Sequence, residues 1–159
     1  DGLLGSQRDG FFVEAGGFDG EAHSNSLFFE LNRNWKGILI EPLKKNFVQL
    51  INKKRSVFAL NACITDKVLI GKFRAFNDAV LSGLEETMSE HHKTRGKMET
   101  HTFVPCFSLV TILKAISVTK VDYFSLDVEG LIFFKSVFMN ILFLHARIIV
   151  CKVPIFTAS

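Results

Sequence analysis

The sequence predicts an α/β domain on a doubly wound, mostly parallel sheet, and three observations predict it. Apolar runs starting at Phe11 and at Ile38 each reach a carboxylate, Glu14 and Glu41, before giving way to helical spacing. Glycines crowd the first of these junctions, at Gly16, Gly17 and Gly20, where a strand must turn towards a helix. Strand and helix patterns then alternate at a pitch that suits parallel strands joined by helical crossovers. With 159 residues, 48% of them hydrophobic, the chain can bury one core and is expected to form one domain.

Phe11–Ala15 reads as a strand buried on both faces, because its apolar run leads straight into turn chemistry. Leu27, Phe28 and Leu31 fall at helical spacing, with Ser24 or Asn25 as the cap and Gly37 as the stop. Residues 38–41 form the second strand. Leu43, Phe47, Leu50 and Ile51 mark a second helix whose opposite side carries Lys44, Lys45, Lys53 and Lys54. Val, Phe, Leu and Ile content predicts a third strand over 57–64. Residues 68–76 are expected to extend the sheet antiparallel, with a bend or bulge at Gly71.

The charged, histidine-rich stretch 85–101 reads as a surface loop or insertion. Extended chain returns at 103–107, and Ser108 caps a helix bearing Leu109, Ile112, Leu113 and Ile116. A further strand over 121–127 runs into Asp127-Val128-Glu129-Gly130. From Leu131 the character changes to Phe, Ile, Leu and Val interrupted by Lys135, Asn140, His145 and Arg147, with a strand pattern at 146–153. A divergent helix and strand, a membrane segment, and sequence from a misplaced gene boundary compete to explain this tail. The membrane segment ranks last, because Lys135 and Asn140 break the run.

The glycine spacing is G-G-x-x-G, which departs from the dinucleotide fingerprint G-x-G-x-x-G. Glu14 before the turn and Asp19 within it would repel a pyrophosphate and suit a cationic or hydroxyl-rich ligand. Glu41 ends the next strand at the distance expected of a ribose-binding carboxylate. Together these features match S-adenosylmethionine, whose ribose needs an acid and whose sulfonium sits well near carboxylates and aromatic faces. A structural role competes at each acid: Glu14 as a turn acid taking backbone hydrogen bonds, Asp19 as turn chemistry, and Asp127 with Glu129 as partners of a helix N-terminus.

The segments FFVEAGGFDGEAHSNSLFFE, NWKGILIEPLKKNF, NACIT, VPCFSLVTIL and VDYFSLDVEG resemble, in that order, the FkbM-type methyltransferase domain. More narrowly they look like its animal branch, the Star-like proteins. The resemblance implies a class I S-adenosylmethionine-dependent fold over 1–130, an incomplete copy truncated at its N-terminus, followed by a divergent tail at 131–159. It implies a cofactor site drawn from Glu14, Gly16, Gly17, Phe18, Asp19, Gly20 and Glu41. Asp127 and Glu129 would meet the substrate or the methionine part, and Asn61 and Asp78 would lie near the adenine. The activity implied is O-methylation of a small-molecule or glycan hydroxyl. The Star branch implies instead a non-catalytic, membrane-associated protein of the endoplasmic reticulum, Golgi and endosomes that handles growth-factor precursor cargo.

Three cysteines, Cys63, Cys106 and Cys151, form no C-x-x-C pair, and buried free thiols are the plain reading. The Star resemblance adds a disulfide between Cys63 and Cys106, which both lie in matched segments. His91, His92 and His101 share a charged loop without metal-ligand spacing. A net charge of +3, with basic residues scattered and no interleaved aromatics, argues against a nucleic-acid partner. No secretory signal opens the chain, which is expected to begin inside a longer protein.

Overall fold

The computed structural model describes residues 5–66, 69–76, 83–85, 98–127 and 149–151. Among them β1 (Phe11–Ala15), β2 (Lys36–Ile40), β3 (Phe58–Leu60), β8 (Tyr123–Leu126) and β9 (Ile149–Cys151) form a five-stranded sheet in the order β3-β2-β1-β8-β9. Every pairing in it is parallel. A second sheet has the order β4-β7-β5-β6, from β4 (Cys63–Ile64), β5 (Leu69–Phe76), β6 (Gly83–Leu84) and β7 (Met98–Phe107).

Both faces of the parallel sheet are covered, as its apolar strands require. Val13, Ala15, Ile38, Ile40, Phe124 and Leu126 meet Leu109, Ile112 and Leu113 of α3 (Leu109–Ala115) on one face. On the other, Phe12, Trp35, Leu39 and Tyr123 pack with Leu50 of α2 (Lys44–Asn52) and Phe29 of α1 (Leu27–Arg33). Ser108 caps α3 as its sequence position predicts, accepting from the Thr111 N–H at 3.1 Å. No helix among the described residues is long and apolar enough to cross a membrane.

Local expectations fail where a tertiary partner intervenes. α1 ends at Asn34, left-handed at φ 56°, with its N–H on the Phe29 carbonyl, and Gly37 lies inside β2. The predicted strand over 57–64 divides at Asn61, so that β3 joins the parallel sheet and β4 the second one. Gly71 sits in regular pairing with Val104, and the register shift falls between Ala75 and Phe76. Residues 98–101, expected in a loop, belong to β7 because β5 supplies them with an antiparallel partner. The strand predicted over 146–153 contains β9, and the rest of the tail lies outside the described residues.

Cys63 and Cys106, register partners on β4 and β7, are joined in a disulfide across a separation of 43 residues. Of the two sequence alternatives, free thiols and a bridge, the structure has the bridge.

Candidate functional site

Sheet order reverses between β1 and β8: from β1 the chain runs through β2 to β3 on one side, then returns through β8 to β9 on the other. In open parallel sheets ligands bind outside the carboxyl ends of the strands at such a reversal. The turn at 16–20 after β1, Glu41 after β2 and Asp127 after β8 occupy these ends.

The turn is moulded onto the end of β2. Gly16 and Gly17 both donate to the Ile40 carbonyl, at 2.9 and 3.1 Å, and the Gly20 N–H donates to the Gly17 carbonyl at 2.8 Å. The Phe18 N–H donates to Glu41 Oε2 at 2.9 Å. Gly16 stands at φ +88°, and a Cβ there would lie 2.1 Å from the Asp127 carbonyl oxygen. The neighbour that requires glycine is therefore the chain leaving β8, in addition to any ligand.

Glu41 is 4% exposed. Its Oε1 accepts from the Leu43 N–H at 2.9 Å and from Asn46 Nδ2 at 3.3 Å. Burial pushes its pKa from 4.5 up to about 7, against the pull of the Leu43 and Phe18 N–H groups and Asn46. Asn61 supports the same corner, its Nδ2 donating to the carbonyls of Glu41 and Pro42 at 2.8 and 2.9 Å.

Glu14, 2% exposed, is engaged beneath the following loop. Its Oε1 accepts from the Asn25 N–H at 2.8 Å. Its Oε2 takes the hydroxyls of Ser24, at 2.8 Å, and Ser26. Asn25 Nδ2 reaches Ser125 Oγ at 2.9 Å, and Ser125 is the β8 register partner of Glu14. The loop is thus pinned across the point of reversal. With Ser24 and Asn25 engaged in these bonds, the cap position of α1 falls to Ser26, not to Ser24 or Asn25 as the sequence suggests, and the helix starts at Leu27.

Asp19 Oδ1 accepts from the N–H groups of Glu21 and Ala22 at 3.0 and 2.7 Å. Burial raises its pKa, but those N–H groups and Lys53, 3.8 Å away, outweigh that and leave it lowered. The Asp127 N–H donates to the Ala15 carbonyl at 2.9 Å. Asp78 and Glu129 lie outside the described residues. Glu41, Asn61, the glycine turn and Asp127 therefore share one edge, while Glu14 and Asp19 hold the loop beside it.

The methyltransferase FkbM domain model matches residues 14–131. The chain belongs to the FkbM methyltransferase family. No curated protein and no solved structure matches the chain. The FkbM span covers Glu14, the glycine turn, Glu41, Asn61, Asp78, Asp127 and Glu129, and the parallel α/β sheet is consistent with a methyltransferase-like domain.

Sequence reasoning missed Asn46, Ser26, Glu30 and Arg55. In this FkbM domain the Arg55 guanidinium, its side chain 5% exposed, binds Glu30 Oε2 at 2.6 Å, the Gly20 carbonyl at 2.7 Å, Ser24 Oγ at 3.0 Å and Ser26 Oγ at 3.2 Å. Arg55 lies far along the chain from each partner, so no local spacing signals it. For Asn46, directly after a lysine pair on α2, the signal would have been a polar residue placed on a helix's inward face.

Proposed function

We propose that this chain is an S-adenosylmethionine-dependent methyltransferase acting on a hydroxyl of a small-molecule or glycan acceptor. The observation that carries the reading is the meeting of the glycine turn with the buried Glu41 carboxylate at the point of strand reversal. The donor set fits the cofactor. Glu41 Oε2 holds one donor, Phe18 N–H, against two on Oε1, so it has acceptor capacity for a ribose hydroxyl. The neighbouring cations Lys53 and Arg55 are bound to Glu21 and Glu30, an arrangement that suits a cationic ligand better than a phosphate.

In this reading Glu41 takes the ribose, and Gly16, Gly17, Phe18 and Gly20 form the wall beside it. Asp127 and Glu129 serve the methionine end or the acceptor. Asn61 and Asp78 lie towards the adenine, and Glu14 and Asp19 act by holding the loop. When bound, S-adenosylmethionine supplies an electrophilic methyl carbon. The chain's own contribution is to hold the acceptor oxygen in line with it, which supplies much of the rate in such transfers.

Calorimetry with S-adenosylmethionine and S-adenosylhomocysteine tests the reading. Binding by the wild type is expected, and Glu41→Ala is expected to weaken it about ten- to a hundredfold, as for loss of a hydrogen bond to a charged group. No binding of either ligand at millimolar concentration would remove the enzyme reading.

One observation favours a second reading. Disulfides persist in oxidising compartments, and the Cys63–Cys106 bridge suits the lumen of the endomembrane system. The bridge bears on the compartment alone; in this second reading the chain is a Star-like, membrane-associated protein that engages cargo in transit between the endoplasmic reticulum, Golgi and endosomes without catalysis. Protease protection of the tagged chain in intact microsomes, together with absent cofactor binding, would establish it. Digestion without detergent would reject it.

A further inference from the structure

We propose that Arg55 is a positioning residue of the cofactor edge, setting the glycine turn and the loop behind it from below. The inference rests on the methyltransferase reading for its consequence, and on the geometry for its cause. A guanidinium buried away from water must have its donors paired. Arg55 pairs them with groups that all bear on the turn: the Gly20 carbonyl at the end of the turn, the hydroxyls of Ser24 and Ser26, and Glu30 of α1. Its planar head also lies 5.7 Å from the centre of the Phe12 ring, on the strand that carries Glu14.

The chemistry runs in one direction. Ser24 and Ser26 each donate their single hydroxyl proton to Glu14 Oε2, which leaves their oxygen lone pairs to accept from Arg55. Arg55 thus acts on both hydroxyls that face Glu14, sharing Ser24 Oγ with the Ser26 and Leu27 N–H groups, and Glu14 in turn holds the Asn25 N–H. Glu30 is itself fixed on Oε1 by the Ser56 N–H at 2.8 Å, next in sequence to Arg55, so the carboxylate that takes Arg55 on Oε2 is held on both oxygens. Without Arg55, the Gly20 carbonyl, Ser24, Ser26 and Glu30 each lose a charge-assisted partner at once. Lysine keeps the charge but lacks the planar fork that reaches several acceptors together.

The test compares wild type with Arg55→Met, Arg55→Lys and Glu30→Gln, at a temperature where circular dichroism shows each folded. Two quantities are read: the Kd for S-adenosylhomocysteine and amide hydrogen exchange at Gly20, Asn25 and Leu27 against Val13 and Leu39 as controls. Arg55→Met is expected to raise Kd by more than about tenfold, with Arg55→Lys between it and wild type. Exchange at Gly20, Asn25 and Leu27 is expected to accelerate while the strand controls stay protected. Faster loop exchange with unchanged Kd would make Arg55 a scaffold residue only and overturn the proposal. Unchanged exchange overturns it too. If Arg55→Met does not fold, Arg55→Lys and Glu30→Gln carry the same comparison. If wild type binds no cofactor, the methyltransferase reading fails, while the exchange data still decide whether Arg55 sets the turn.

Discussion

At Glu41 a carboxylate is held out of water among N–H donors, and burial outweighs those donors, bringing its pKa to about 7. The sign follows from the direction of the shift. An acid whose pKa rises on folding stabilises the protein fully below its ordinary value of 4.5, and that contribution is lost as pH rises through about 7. The displacement corresponds to about 3 kcal/mol at most between those limits. Denaturant titrations of wild type and Glu41→Gln are expected to show a flatter pH dependence for the variant across this window. A ribose hydroxyl donating to Glu41 favours the ionised form, so cofactor affinity should tighten from about pH 6 to about pH 8. Equal affinity at both would separate Glu41 from the ligand. The position of Glu41 at the end of an apolar strand was legible in the sequence, but its partners Phe18, Leu43 and Asn46 were set by how the turn and α2 close over it. That Glu14 could take backbone hydrogen bonds was one of the sequence's alternatives, but that the donors would be the Asn25 N–H with the Ser24 and Ser26 hydroxyls was not legible, since the loop's path decides which donors arrive.

The glycine turn shows how an element can be conditioned by a distant one. Gly16 lies 2.1 Å, measured from its would-be Cβ, from the Asp127 carbonyl oxygen, and its φ is +88°. Gly16→Ala is expected to cost more than about 3 kcal/mol, from backbone strain and a collision with main chain that cannot swing aside. At Gly17 the nearest obstacle is Leu50 Cδ1 at 3.1 Å, the end of a flexible side chain. Gly17→Ala should therefore cost much less. Urea denaturation of both variants checks the order, and a Gly16→Ala protein of wild-type stability that only fails to bind ligand would assign this glycine to the ligand instead. Ser108 contrasts with Gly16. Its cap on Thr111 is a contact within one helical turn, so the residue type and its place before Leu109 were enough to predict it.

Across the whole molecule, the Cys63–Cys106 bridge ties β4 to β7 over a separation of 43 residues. Replacing both cysteines by alanine is expected to lower stability by about 4 kcal/mol, the chain-entropy value for closing a loop of that length. Denaturation with and without reductant measures it: reductant should destabilise wild type and leave the double variant unchanged. The sequence by itself determined the alternation of strands and helices, the apolar strand carrying Glu14 and the one leading into Glu41, the glycine turn between them and the Ser108 cap. All of these depend on neighbours within a few residues or on runs of apolar side chains. Only the tertiary structure decided the division of 57–64 between two sheets, the true end of α1, the extension of β7 and the burial of Arg55 under the loop. Each of those is fixed by a partner far away in the chain, and pairing across such distances is set by which surfaces the folded core brings into contact.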